Sequence, residues 1–277
     1  MKISSADMQA FFAYLQAEEK SPATIEKYRR EAARFAAWLG GGELTREAAR
    51  AYKEKLSGER APAGVNGAVA ALNLLFDFLG APECRLKAVR IQRKIFRDEA
   101  RELTQNEYRR LLTAAKSAKN ERLLLVMETI CATGIRVSEL KFFTVEAVKQ
   151  GRVEVTNKGK TRTVFLPGKL RKVLLGYARA RKITAGPVFV TRNGRPLNRS
   201  NIWRQMKELC RDAKVAESKV FPHNLRHLFA RTYYGLEKDI VRLADILGHS
   251  SINTTRIYTM ESGETHRRQL EKMRLVI

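Results

Sequence analysis

Residues 152–166 read RVEVTNKGKTRTVFL. Val153 and Val155 alternate with polar neighbours, Asn157-Lys158-Gly159-Lys160 interrupts the alternation, and it resumes through Val164. A period of two on both sides of a short turn containing glycine predicts an antiparallel hairpin. A further short strand is expected at 187–191, ahead of Arg192-Asn193-Gly194-Arg195. Outward from the hairpin the period becomes helical. Thr104 with Glu107 has the pattern of a capping box before YRRLLTAAK, and the apolar run of ERLLLVMETICATG stops at Gly134. Helices resume at Asn198, so this part of the chain is expected to be mainly α with a small antiparallel β-sheet.

The N-terminal part has no alternating stretch. Met8, Phe11, Phe12 and Leu15 recur at helical spacing after Ser5, the expected cap. Ser21 and Pro22 open SPATIEKYRREAARFAAWLGG, with Ile25, Tyr28, Ala32, Phe35 and Leu39 as the apolar face and Gly40 to Gly42 as the stop. Thr45–Leu56 and Ala61–Leu79 supply two more helices, completing a four-helix unit. PECRLKAVRIQRKIFR, residues 82–97, follows neither period and reads as a basic linker. The expected organisation is a helical unit over 1–82, a linker over 83–100 and a second unit over 101–277.

Of the 277 residues, 53 are Lys or Arg and 29 Asp or Glu, giving a net charge of +24. The excess is uneven: 17 basic and 13 acidic residues fall in 1–100, against 36 and 16 in 101–277, or +4 against +20. A charge of this size calls for a polyanionic partner, and nucleic acid is the default. An anionic membrane surface would need an amphipathic helix with a basic face opposite exposed aromatics, and no stretch concentrates both. Apolar runs such as 123–127 are far short of a membrane span, and the N-terminus lacks the apolar core of a signal peptide, so a cytoplasmic protein is expected. Three cysteines without CxxC spacing suggest neither disulfides nor a zinc module.

Candidate chemistry lies in the second part. His223 and Arg226 in PHNLRHLFA fall three apart, on one face of a helix, where imidazole and guanidinium can cradle a phosphate. An isolated HxxR is also a common helix start with a structural histidine. His227 is expected to face away and be structural, and His266 to lie in an exposed tail. Arg136 follows the helix end at Gly134 with Glu139 three residues on to hold it. His249 follows Gly248, and a loop after it would let Tyr258 swing back toward the imidazole.

The order Arg136, Lys158, His223-x-x-Arg226, Leu-Gly-His249, Tyr258, carried by ATGIRVSEL, NKGK, HNLRH and LGHSSINTTRIY, resembles the tyrosine recombinase (phage integrase) family, which includes the Xer-type enzymes. The likeness spans essentially the whole chain. It implies a site-specific DNA recombinase that cleaves and rejoins strands through a 3′-phosphotyrosine. In that reading Tyr258 is the nucleophile, Arg136 and Arg226 bind the non-bridging oxygens, His249 adds a third donor, His223 handles the tyrosine proton, and Lys158 protonates the leaving 5′-oxygen. No cofactor and no catalytic metal are expected. The partners implied are double-stranded DNA with a specific recombination site and further copies of the chain, forming a tetramer in which the tail THRRQLEKMRLVI packs on a neighbour.

Both units are expected to close on the duplex. Lys27, Arg30, Arg93, Lys94, Arg162, Arg199, Asn201 and Arg204 are the candidate DNA contacts, with Arg199, Asn201 and Arg204 near the start of a helix that could enter the major groove. A type IB topoisomerase would use a similar site as a monomer, and a non-catalytic DNA-binding regulator would need none of the six residues together.

Overall fold

Ser4, Ser21 and Thr45 each accept a hydrogen bond from a backbone N–H of the following turn, and these caps start α1 (Ser5–Ala17), α2 (Pro22–Leu39) and α3 (Arg46–Glu59). Helix α4 (Pro62–Phe78) starts on its proline. The first cap is Ser4 rather than Ser5. Asp7 decides the register: its backbone N–H donates to Ser4 Oγ at 3.1 Å while its carboxylate accepts from Ser4 N–H at 2.8 Å. In the computed structural model, which describes residues 1–92, 99–157, 159–191, 193–260 and 263–273, the chain divides into two units, Met1–Arg93 and Lys94–Ile277.

The core of the first unit gathers Phe11, Leu15, Phe35, Tyr52, Leu72 and Phe76 from all four helices. The stretch after α4 belongs to this core as well. Cys84 and Leu86 are buried in it and Val89 packs on it, so residues 83–89 are no free connection. Two asparagines of α4 act as surrogate strand partners. Asn73 Nδ2 donates to Leu86 O at 3.0 Å and its Oδ1 accepts from Leu86 N–H at 2.8 Å. Asn66 does the same for Val89, at 2.9 and 2.7 Å. Absence of periodicity in this stretch reflects pairing with side chains rather than with another strand.

The second unit is built on α5 (Gln105–Ser117), α6 (Glu121–Thr133) and α11 (Pro222–Glu237), with α11 laid along α6. The capping box of Thr104 and Glu107 is present at α5. The other helices of this unit are α7 (Val145–Gln150), α8 (Gly168–Ala180), α9 (Arg199–Glu208), the single turn α10 (Cys210–Ala213), α12 (Ile240–Leu247), the single turn α13 (Ile252–Thr255) and α14 (Gly263–Met273). The hairpin is β1 (Arg152–Asn157) with β2 (Lys160–Phe165), antiparallel, with Asn157 paired to Lys160. Gly159 takes a φ of +74° in its turn, a conformation that favours glycine.

The strand expected at 187–191 is absent as a strand. Pro187 and Val190 make isolated bridges to Thr144 and Pro196. Pro187 has no N–H to give, and Val188 and Phe189 are both buried, so the segment has no alternating face to lay on a sheet. Among the described residues the sheet has two strands. No helix among them is long and apolar enough to cross a membrane. All three cysteines are free thiols, Cys84 and Cys210 buried, and burial pushes the Cys131 thiol up to about 12.

Asn73→Ala is expected to remove amide hydrogen-exchange protection at Leu86 while leaving the α2–α4 core amides protected. Two buried backbone groups then lose their partners, a cost of about 1–3 kcal/mol each.

Candidate active site

Helix α6 ends because Gly134 turns left-handed, at φ +65°. A side chain there would meet both a strained backbone and a wall: a Cβ would stand 2.3 Å from Phe229 of α11. Glycine thus lets α11 approach the end of α6, and Arg226 of α11 uses the proximity. Its Nη1 donates to Gly134 O at 2.6 Å, and its Nη2 donates to Leu247 O at 2.7 Å. Arg226 is 1% exposed. Burial, then the positive charge of Arg136, lowers its pKa to about 10, and the group remains cationic at neutral pH. Its Nε–H is buried with no partner among the described residues.

His249 stands 3.0 Å from Arg226 Nη2 through Nε2 and 2.8 Å from Thr255 Oγ1 through Nδ1. A guanidinium can only donate, so Nε2 accepts; the proton then sits on Nδ1 and is donated to Thr255. Thr255 itself is fully buried. Burial, with the charges of Arg226, Arg136 and Arg162, lowers the His249 pKa to about 4. After His249 the chain makes α13 and a 3-10 turn, Arg256–Tyr258, which returns Tyr258 to the imidazole. The two rings stack 6.1 Å apart at 18°.

Tyr258 is 5% exposed and packs with Ala230, Leu243 and Leu247. Burial raises its pKa, and the charge and hydrogen bond of Arg226 only partly offset this, so the hydroxyl is protonated. A second imidazole stands closer to it than His249 does. His227, expected to face away, lies edge-on to Tyr258 at 5.0 Å and to His223 at 4.5 Å. Its Nε2 is buried without a partner among the described residues, and burial followed by the neighbouring His223, Arg231 and Arg226 lowers its pKa to about 3. His223 reaches solvent, yet packing and the charges of Arg226, Arg136 and Arg199 lower its pKa too.

Glu139 carries the site's carboxylate and is 1% exposed. It accepts from Arg136 N–H at 2.8 Å and from Arg136 Nη1 at 3.2 Å. Arg162 forks onto it, Nη1 at 3.0 Å and Nη2 at 2.7 Å. Burial would raise the carboxyl, but bonds and charge from Arg162 and Arg136 outweigh it and hold the group below its ordinary range. Arg136, Lys160, Arg162 and His249 line one cleft of about 470 Å3.

The structure thus brings together Arg136, His223, Arg226, His249 and Tyr258. Lys158, Arg93 and Lys94 lie outside the described residues. Lys27 and Arg30 are exposed on α2, and Arg199, Asn201 and Arg204 are exposed on α9, where Arg204 also meets Glu208 at 3.6 Å. Arg162 departs from the DNA-contact expectation: its three nitrogens bond inside the protein, because Glu139 needs a fork and its Nε reaches Ile246 O at 3.1 Å. Sequence reasoning misses His227 and Thr255 as neighbours of the tyrosine. The one signal for His227 is its place one residue after Arg226; Thr255 offers only its hydroxyl.

A basic, mainly helical chain of two units that gathers arginines, imidazoles and a tyrosine in this order has the fold and site of a DNA strand-transferring enzyme. Residues 101–264 match the model of the phage integrase family. The tyrosine recombinase XerA of Pyrococcus furiosus is 30% identical over 99% of this chain and 96% of its own length. A crystal structure of XerA recombinase superposes with a TM-score of 0.54 and 26% identity over 98% of this chain and 99% of that one. A lambda integrase tetramer bound to a Holliday junction matches with a TM-score of 0.72 and 18% identity over 91% and 76%. The chain belongs to the phage integrase family, the tyrosine recombinases.

The depressed imidazoles set a pH dependence. An imidazole whose folded pKa lies below its unfolded value of about 6.5 lets the unfolded chain bind more protons, so stability falls as pH drops below that value. Between pH 6.5 and 5, above the ordinary carboxylate range, a decline in the melting temperature of the second unit is expected. His227→Gln should flatten that decline, and unchanged slopes in paired thermal melts would count against this assignment.

Proposed function

We propose that this chain, a site-specific DNA recombinase of the tyrosine type, uses Tyr258 as its nucleophile on double-stranded DNA. Tyr258 Oη attacks the scissile phosphorus, the bond to the 5′-oxygen breaks, and a 3′-phosphotyrosine and a free 5′-hydroxyl result. Attack by the 5′-hydroxyl of another end reverses the step and rejoins strands, so the energy of the phosphoester is kept. Arg136 and Arg226 offset the growing charge on the non-bridging oxygens. His223 takes the tyrosine proton, His249 adds a donor, and Lys158 supplies a proton to the departing oxygen.

The observation that carries this reading is Arg226: a fully buried guanidinium, with one N–H left without a partner, beside the only tyrosine that an imidazole pair contacts among the described residues. A structural arginine at this depth would be expected to have all its N–H groups satisfied. Arg199, Asn201 and Arg204 on α9, and Lys27 and Arg30 on α2, are the proposed DNA contacts. A role on DNA goes with the cytoplasm as the proposed place of action.

Covalent capture tests the reading and finds the target sequence in the same step. A library of nicked duplexes with random cores is incubated with the chain, and protein-linked DNA is isolated under denaturing conditions and sequenced. The wild type is expected to capture one sequence class, and Tyr258→Phe none, while gel-shift affinity for the captured duplex stays within about threefold. Non-catalytic DNA binding predicts no adduct from either. Adducts that only relax circles, with no exchange between two captured sites, would favour topoisomerase chemistry.

Assembly is read from α14, whose Leu270 and Met273 are 54% and 56% exposed. Leu275 lies outside the described residues. An apolar groove of about 330 Å3 among α5, α6 and α11, lined by Tyr108, Leu228, Phe229, Tyr233 and Leu236, is the proposed seat for the α14 of a neighbouring copy. The lambda integrase tetramer on a Holliday junction supports four copies. Deleting residues 264–277 is expected to spare binding of one copy to a half-site and to abolish cooperative filling of a full site. Unchanged cooperativity, measured by gel-shift titration, would reject this docking.

A further inference from the structure

The Arg162 side chain touches the segments bearing Arg136 and His249 together. It springs from β2, forks onto Glu139 at 3.0 and 2.7 Å, and gives its Nε–H to Ile246 O at 3.1 Å. Glu139 in turn holds Arg136 through its backbone N–H and its guanidinium. Ile246 belongs to the last turn of α12, immediately before Gly248 and His249. The Arg162 side chain also lies against Gly248, where a Cβ would fall 2.8 Å from Arg162 Cδ and where the backbone is left-handed at φ +65°. Hairpin, Arg136 and His249 turn are thus pinned to one guanidinium that is largely shielded from solvent.

Lysine could not replace it. One ammonium cannot span both carboxylate oxygens and a carbonyl in fixed directions, whereas the planar fork does. Nor is charge alone the point. Glu139 is almost fully buried between two arginines, so removing Arg162 leaves its negative charge to Arg136 alone. Arg136 would then be drawn fully onto the carboxylate and away from the open cleft it lines.

The geometry points to Arg162 as a positioning residue of the strand-transfer site, one that shares Glu139 so that the Arg136 guanidinium stays available to a phosphate and holds the His249 turn beside it. This rests on the reading of the chain as a recombinase acting through Tyr258. It excludes Arg162 from the surface that grips DNA.

The test uses the full chain and the duplex captured by wild-type covalent selection, nicked to trap the adduct. Two forms are compared: the ordinary scissile phosphodiester and a methylphosphonate at the same position, which lacks the anionic charge that Arg136 would offset. Arg162→Met is expected to slow adduct formation on the phosphodiester by on the order of tenfold to a hundredfold, short of the loss expected for removing a transition-state donor outright. On the methylphosphonate the deficit is expected to shrink to about threefold or less, and gel-shift affinity to stay near wild type. Adding Glu139→Gln should restore part of the phosphodiester rate, since no buried charge is then left unpaired. Arg162→Lys keeps the charge; it is expected to fold like the wild type in a thermal melt and to show the same selective deficit in smaller measure. Equal slowing on both substrates by either variant would show that Arg162 merely holds the fold together, and a loss of affinity with the adduct rate intact would return it to the DNA-contact surface. Either result overturns the inference alone. No adduct from the wild type on either substrate would overturn the parent reading and the inference with it.

Discussion

A buried positive charge governs this site. Arg226 is 1% exposed, and an unpaired guanidinium at that depth would cost several kcal/mol. Among the described residues no carboxylate bonds to it. Besides His249 and Tyr258 its partners are Gly134 O and Leu247 O, carbonyls at the C-terminal ends of α6 and α12. A helix presents unpaired carbonyls and a partial negative charge at that end, so two helix ends together form a neutral but strongly polar seat for a cation. The seat dictates much else: Gly134 must be glycine, Phe229 must press against it, and α12 must stop where Gly248 turns. A carboxylate in the same place would satisfy Arg226 more strongly and would leave a phosphate nothing to bind.

The rest of the charge distribution follows the same logic. Arg136, Arg162 and Arg226 cluster around one carboxylate, Glu139, whose pairing is divided between Arg162 and Arg136. The cluster therefore carries an excess of positive charge in a poorly solvated setting, which under the proposed function an arriving phosphodiester would neutralise. On that reading anion binding and folding share these groups. The last turn of α12 is held by two arginines at once, Arg162 on Ile246 O and Arg226 on Leu247 O, so the His249 turn depends on both.

Most of the secondary structure is legible in the chain because caps and periods are local. Ser21-Pro22, Thr104 with Glu107, and the alternation in 152–166 each fix a few residues without help from elsewhere. Legibility fails where a distant partner decides. Residues 83–89 have no period because Asn66 and Asn73 of α4 supply their hydrogen bonds, and 187–191 fails as a strand because its neighbours are single bridges. At the site, the order of residues along the chain shows which of them can gather but not how they divide the work. Arg162 and the surface arginines look alike in sequence, and only burial beside Glu139 separates them. His227 escapes a sequence reading because one step along a helix from Arg226 points to another face, whereas Tyr258 arrives from the side and meets it.

On the proposed recombinase reading, the signs of the site's pKa shifts say what an arriving substrate would have to change. Tyr258 is held protonated by burial, while His249 and His227, lowered to about 4 and about 3, are neutral and are weak bases. His249 Nε2 accepts from Arg226 and so cannot donate to a phosphate in this state. A phosphodiester entering the cleft would reverse these settings through its charge alone. It would favour the protonated imidazoles and raise their pKa values toward neutrality, and by drawing the Arg226 N–H groups onto its oxygens it would release His249 Nε2 to become a donor. The same anion disfavours free tyrosinate, which argues that the tyrosine loses its proton only as its oxygen bonds to phosphorus. On that reading substrate binding would match acid and base to the step in the one geometry where the step can occur, while in the unoccupied site burial keeps Tyr258 protonated and weakly nucleophilic.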